Sequence, residues 1–97
     1  MTREPGAITL EENDTRGRYV YHLDGAEAEL TFSKAGDLWI VDHTGVPRAF
    51  EGRGVGAALA RRAVADARLA GRKIVPLCSF VAAQFRRHPD WSDVLSA

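Results

Sequence analysis

A change of hydrophobic period at Gly52 divides this chain of 97 residues. Before it, apolar residues recur at every second position; after it, they recur at helical spacing. Over residues 26–32, Ala26, Ala28, Leu30 and Phe32 alternate with Glu27, Glu29 and Thr31, the pattern of a strand with one buried face. Residues 18–23 read the same way through Tyr19, Tyr21 and Leu23. Between these runs, Asp24-Gly25 predicts a two-residue hairpin, because a type I′ turn needs positive φ at both central positions. A second turn over residues 34–37 leads into Leu38-Trp39-Ile40-Val41, and residues 8–12 carry a weaker strand pattern. A meander of three or four strands is expected.

Past Gly52 the alanine-rich segment 55–70 puts Val55, Leu59, Ala63 and Ala67 on one stripe, with Arg61, Arg62, Asp66 and Arg68 mostly off it. That is a helix lying on a sheet, and Gly71 suits its end. Residues 73–77 read as a short buried strand. Pro76 removes a ladder donor there and predicts a sheet edge or a splayed strand. Ser79 is expected to cap a second helix over 80–88, stopped by Pro89. The order predicts an α+β fold with an antiparallel or mixed sheet and two main helices, as one domain over 1–97.

Thirteen basic residues cancel thirteen acidic ones, so nothing in the bulk charge predicts nucleic acid as a partner. No apolar run approaches the ~18 residues of a membrane helix. Residues 1–6 lack an apolar leader, which predicts a cytoplasmic protein. Cys78 is the sole cysteine, which excludes an intrachain disulfide and a multi-cysteine metal site. With three scattered histidines, no metal site is expected.

Glu51-Gly52-Arg53-Gly54-Val55-Gly56-Ala57 lies between the strand expected to end near Val46-Pro47 and the long helix. Open N–H groups of a first helical turn, the helix dipole and glycines that let a pyrophosphate approach would make this an anion cradle. A glycine-rich turn used only for close packing fits the spacing equally well. No Gly-Lys-Ser/Thr follows, so it is not a Walker loop. Leu59 stands where a dinucleotide fingerprint needs its third glycine.

Strand, Gly-Arg-Gly-Val-Gly-Ala-Ala-Leu, long helix, strand and short helix together resemble the core of the GNAT acetyltransferase superfamily. The segments 43–47, 52–56, 75–81 and 87–91 resemble more narrowly a subfamily of small GNAT-like predicted N-acetyltransferases. The resemblance implies a minimal GNAT-like fold and acetyl-CoA as cosubstrate, with acetyl passed to an amine. It implies a pyrophosphate held by Gly52, Arg53, Gly54, Val55, Gly56 and Ala57, and a backbone N–H near Val46 that polarises the thioester carbonyl. Ser79 and Arg86 are further expected cofactor contacts; Arg86-Arg87 with Arg61-Arg62 either form a solvated face or reach the 3′-phosphate by charge-assisted bonds. The chain has no room for helices walling an acceptor site, which mildly favours a protein or peptide amine. Oligomeric state is not legible.

The sequence also departs from the pattern. Glu51 stands where the superfamily usually has Gln or Arg, and Gly45 where many small relatives carry a larger residue, often Glu. Phe85 and Arg86 are nearest to the place of a tyrosine that protonates the leaving thiolate in larger enzymes. The catalytic candidates are therefore Cys78 and His43. Cys78, at a strand end before a helix start, is either a nucleophile activated by the helix N-terminus or a small buried apolar residue. His43 is either a proton acceptor or a hydrogen-bonding residue. Asp42 should face away from His43 on a regular strand, unless a bulge near Thr44-Gly45 changes the parity. His88 is expected to close the last helix. The alternative to an enzyme is a module that binds CoA or acetyl-CoA with little or no catalysis.

Overall fold

The computed structural model describes residues 8–96, so the reading of residues 1–6 lies outside the described residues. Five strands, β1 (Ile8–Glu12), β2 (Arg16–Leu23), β3 (Ala26–Ala35), β4 (Leu38–Gly45) and β5 (Lys73–Pro76), form one sheet in chain order. The first four make the antiparallel meander, and β5 lies parallel to β4. A parallel neighbour needs a crossover; it is made by α1 (Val55–Ala70). A second helix, α2 (Ser79–Arg87), follows β5. Short 3₁₀ turns lie at Arg48–Phe50 and Pro89–Val94; the second, which the sequence reading did not anticipate, buries Trp91 and Val94.

Local chemistry sets most of these boundaries. Asp24 and Gly25 take φ of 53° and 81°, as a type I′ hairpin requires. The α1 stripe of Val55, Leu59, Ala63 and Ala67 is buried. It joins Tyr19, Leu30, Phe32, Trp39 and Val41 from the sheet, and Val81 and Phe85 from α2, in one apolar cluster. The Tyr19, Phe32 and Trp39 rings stack in series at 5.6 and 4.7 Å. The buried Tyr19 hydroxyl donates to Asp66 Oδ2 on α1 at 2.7 Å, so its polar end is satisfied. The opposite sheet face is charged, with Arg18 reaching Glu11, Glu27 and Glu29.

Two irregularities shape the sheet where β4 passes β5. Thr31 pairs with His43 and Phe32 with Val41, which leaves Asp42 as an extra residue on β4. The strand is not regular here: a bulge changes its parity, at Asp42 rather than at Thr44-Gly45. It turns Asp42 and His43 to the same charged face: Thr31 Oγ1 donates to Asp42 at 2.6 Å, and His43 Nε2 lies 3.2 Å from Glu29 Oε2. The second irregularity is the end of β5. Its ladder with β4 stops at Val41↔Pro76, and the Leu77 and Cys78 amides both donate to Val41 O, each at 3.0 Å. β4 then continues to Gly45 without β5 beside it. Pro76 thus marks a splay, as its missing donor predicts.

The expected cap of α2 is corrected. Cys78, not Ser79, holds the N-cap position with extended backbone (φ −71°, ψ 128°), and Ser79 is already helical. Among the described residues, no helix is long and apolar enough to cross a membrane.

Candidate functional site

The site begins with an uncapped helix. Gly54 is the N-cap of α1 in left-handed backbone (φ 72°) and supplies no side-chain cap. The first intrahelical bond runs from the Ala58 amide to Gly54 O at 3.0 Å. The amides of Val55, Gly56 and Ala57 therefore have no acceptor among the described residues, and the helix dipole adds positive potential in front of them.

A cavity of about 470 Å³ opens there, within the range of small-ligand sites. The turn provides one wall, from Phe50 through Gly52 and Gly54 to Ala57. Thr44 and Val46 at the end of β4 provide the second. Phe80, Gln84 and Arg87 provide the third, on one face of α2 because positions i, i+4 and i+7 align. Gly56 is required by packing as well as by the turn: a Cβ there would stand 2.8 Å from Phe80 Cζ. At Gly54 a Cβ would meet nothing within 4 Å, so the space before the amides is open.

Arg16, Arg18, Arg62, Arg68 and Arg72 each pair with a carboxylate. Arg48, Arg53, Arg61, Arg86 and Arg87 have no such pair among the described residues, and of these Arg87 lines the cavity. Glu51, also without an ion pair among the described residues, lines it too, so an anion there has one cation beside it and has to keep clear of that carboxylate. A second depression of about 400 Å³ lies against Glu11, Arg16, Arg18 and Thr31. Both of its arginines are already held by carboxylates, so it offers an anion far less than the first does.

Cys78 stands behind Thr44. Its thiol donates to Thr44 Oγ1 at 3.3 Å. Burial pushes the thiol up, but once deprotonated the sulfur accepts from the Thr44 hydroxyl, which rotates to donate, and from the amides of Val81, Phe80 and Thr44, and these outweigh burial. The net effect holds Cys78 below the usual thiol range, the effect expected of a helix N-terminus. On the charged face, Arg18 donates to Glu29 Oε1 at 2.6 Å. That bond, opposed by burial and aided more weakly by His43, keeps the Glu29 carboxyl below its ordinary value.

Of the residues singled out by sequence, Val46, Gly52, Gly54, Val55, Gly56 and Ala57 line the cavity. Arg53 lies in the turn without lining it, and Cys78 and Ser79 start α2 just behind. Arg86 points elsewhere, and its neighbour Arg87 takes the cavity position. His43 is on the opposite sheet face, and Phe85 is buried edge-on against Trp91 at 5.6 Å. His88 closes α2 with Nδ1 2.8 Å from Gln84 O. Sequence reasoning missed Thr44, Phe80 and Gln84, and weighed Arg87 only as part of the Arg86-Arg87 pair; the helical spacing of Phe80, Gln84 and Arg87 was the available signal. No group of three or more His, Cys, Asp or Glu among the described residues could hold a metal ion.

Residues 18–94 match the family model described as GCN5-related N-acetyl-transferase. Among solved structures, the chain is similar to the NMR solution structure of a "GCN5-like putative N-acetyltransferase" from Staphylococcus aureus. The two share 28% identity over 98% of this chain and 92% of that one, with a TM-score of 0.77. Among curated proteins there is no match.

Proposed function

This chain belongs to the GCN5-related N-acetyltransferase family, and from that premise we propose that it transfers the acetyl group of acetyl-CoA to an amine. The observation that carries the reading is the cavity joining the open amides of Val55, Gly56 and Ala57 to the splay beyond Val41 and Pro76. The donor set fits the cosubstrate. Backbone N–H groups and the unpaired Arg87 suit a pyrophosphate, and the apolar flank of Val46, Phe50 and Phe80 suits an uncharged arm.

In this reading the thioester lies against β4, where Val46 N–H makes no hydrogen bond among the described residues and can polarise its carbonyl oxygen. The amine nitrogen attacks the carbonyl carbon, the C–S bond breaks, and the thiol departs with a proton. The amine approaches through the splay from the charged face, where His43, oriented by Glu29, accepts the ammonium proton. Cys78 stands behind Thr44 and is not required as a nucleophile. The charged face carries no helix among the described residues, so the acceptor side is open, which favours the amine of a protein or peptide. The protein acts as one domain, in the cytoplasm, without a metal.

A second reading, a CoA-binding module with little catalysis, draws on one observation: no tyrosine, histidine or cysteine lines the cavity itself. Calorimetry with CoA tests the site. Acetyl transfer from acetyl-CoA to a panel of lysine peptides and small amines separates the two readings. Tight binding without transfer to any amine would favour the module, and no binding would overturn both.

A further inference from the structure

Gln84 is 5% exposed and, the tyrosines apart, is the single buried polar or charged side chain among the described residues. Its backbone carbonyl meets His88 Nδ1, but its carboxamide makes no hydrogen bond with any described residue. No side-chain N or O among the described residues is both fully enclosed and without a partner. The carboxamide tip therefore opens on the cavity that Gln84 lines. With its stem buried, its tip open on the cavity and no protein partner among the described residues, the carboxamide is free to hydrogen-bond a ligand seated there.

Position and chemistry identify that partner. Gln84 lies one turn of α2 after Phe80 and one before Arg87, and all three line the cavity with Thr44. A carboxamide offers an N–H donor beside a C=O acceptor, the complement of a secondary amide. A phosphate, which only accepts, would use half of it, and an acetyl methyl none. We propose that Gln84 reads a secondary amide in the arm that joins the thioester to the phosphates of the donor. It thereby selects thioesters carried on an amide-containing arm. This rests on the acetyl-CoA reading and adds a specificity-determining residue to it.

The test is calorimetry on the full chain with two probes: CoA, and 3′-phosphoadenosine 5′-diphosphate, which has the phosphates without the arm. Gln84→Met keeps the shape and removes both hydrogen-bonding atoms. It should weaken CoA about tenfold, leave the nucleotide within about twofold, and leave the melting temperature of the free protein unchanged or higher. Gln84→Leu serves as the second variant and should behave alike. A parallel loss for both probes, an unchanged CoA affinity, or failure of both variants to fold would overturn the proposal. Unaltered protein that binds the nucleotide as tightly as CoA would overturn it while sparing the phosphate cradle. Unaltered protein that binds neither probe would overturn the acetyl-CoA reading as well.

Discussion

The Cys78 thiol and the Thr44 hydroxyl meet at 3.3 Å across the gap where β5 leaves β4, joining the N-cap of α2 to the end of the longer strand. The contact ties the thiol's acidity to a residue that lines the cavity. Alkylation of Cys78 followed against pH should show a midpoint below the ordinary thiol value of about 8.5. Thr44→Val, which removes a hydrogen bond favouring the thiolate, should raise that midpoint. A midpoint unmoved by Thr44→Val would show that the helix amides alone set the acidity.

Cys78→Ala should retain most acetyl transfer, because orientation, a carbonyl-polarising amide and a proton acceptor suffice for direct attack. Its cost should appear in stability instead, at about 1–3 kcal/mol. Mass spectrometry after mixing protein with acetyl-CoA should find no acetyl-cysteine that turns over. An adduct that passes its acetyl to amine at the rate of turnover would reassign Cys78 as the nucleophile.

The glycine turn makes separable predictions. Gly56→Val places atoms where Phe80 Cζ already lies 2.8 Å from a Cβ, and should weaken CoA by more than tenfold, about 1.4 kcal/mol. Gly54→Val should do the same by intruding before the amides, and its φ of 72° adds about 1–2 kcal/mol of backbone strain. Arg53→Ala should matter less than either. Arg87→Ala should cost more CoA affinity than Arg86→Ala, since only Arg87 lines the cavity. The reverse order in calorimetry would place the phosphates elsewhere.

His43→Ala should slow acetyl transfer about a hundredfold at saturating acetyl-CoA and leave CoA affinity unchanged, because His43 and the cavity lie on opposite sheet faces. A matched loss of CoA binding, measured in the same preparation, would place the histidine on the donor side.

The Tyr19–Asp66 bond predicts a pH effect on folding. Burial first, and then donation to the Asp66 carboxylate, push the Tyr19 phenol above its ordinary value. Its contribution is thus fully present below the unfolded value of about 10 and is lost as pH rises beyond it, where only the unfolded chain releases the proton. Tyr19→Phe should cost about 1.5–3 kcal/mol at neutral pH, as for a bond to a charged group. It should also flatten the alkaline fall in denaturant midpoint; an equally steep fall in the variant would assign that fall to other groups.

What the sequence determined by itself is everything that depends on neighbours along the chain. Alternation in β3 chose its buried face, Asp24-Gly25 chose the hairpin, and the Val55–Ala67 stripe with Gly71 behind it chose the long helix. The open first turn at Gly54 followed from the same local rules. The tertiary structure decided what depends on residues distant in sequence. The bulge sits at Asp42 because the register of β4 against β3 is a property of the pair, and one extra residue there sends His43 to the charged face beside Glu29. Cys78 rather than Ser79 starts α2 because the chain is held by two amides bonding to Val41 O on another strand. Which face of a nine-residue α2 meets the cavity depends on how it packs against α1 and the sheet, so Gln84 and Arg87, not Arg86, became the wall. Hydrophobic period sets which side of an element is buried; only its packing partners set what the remaining sides confront.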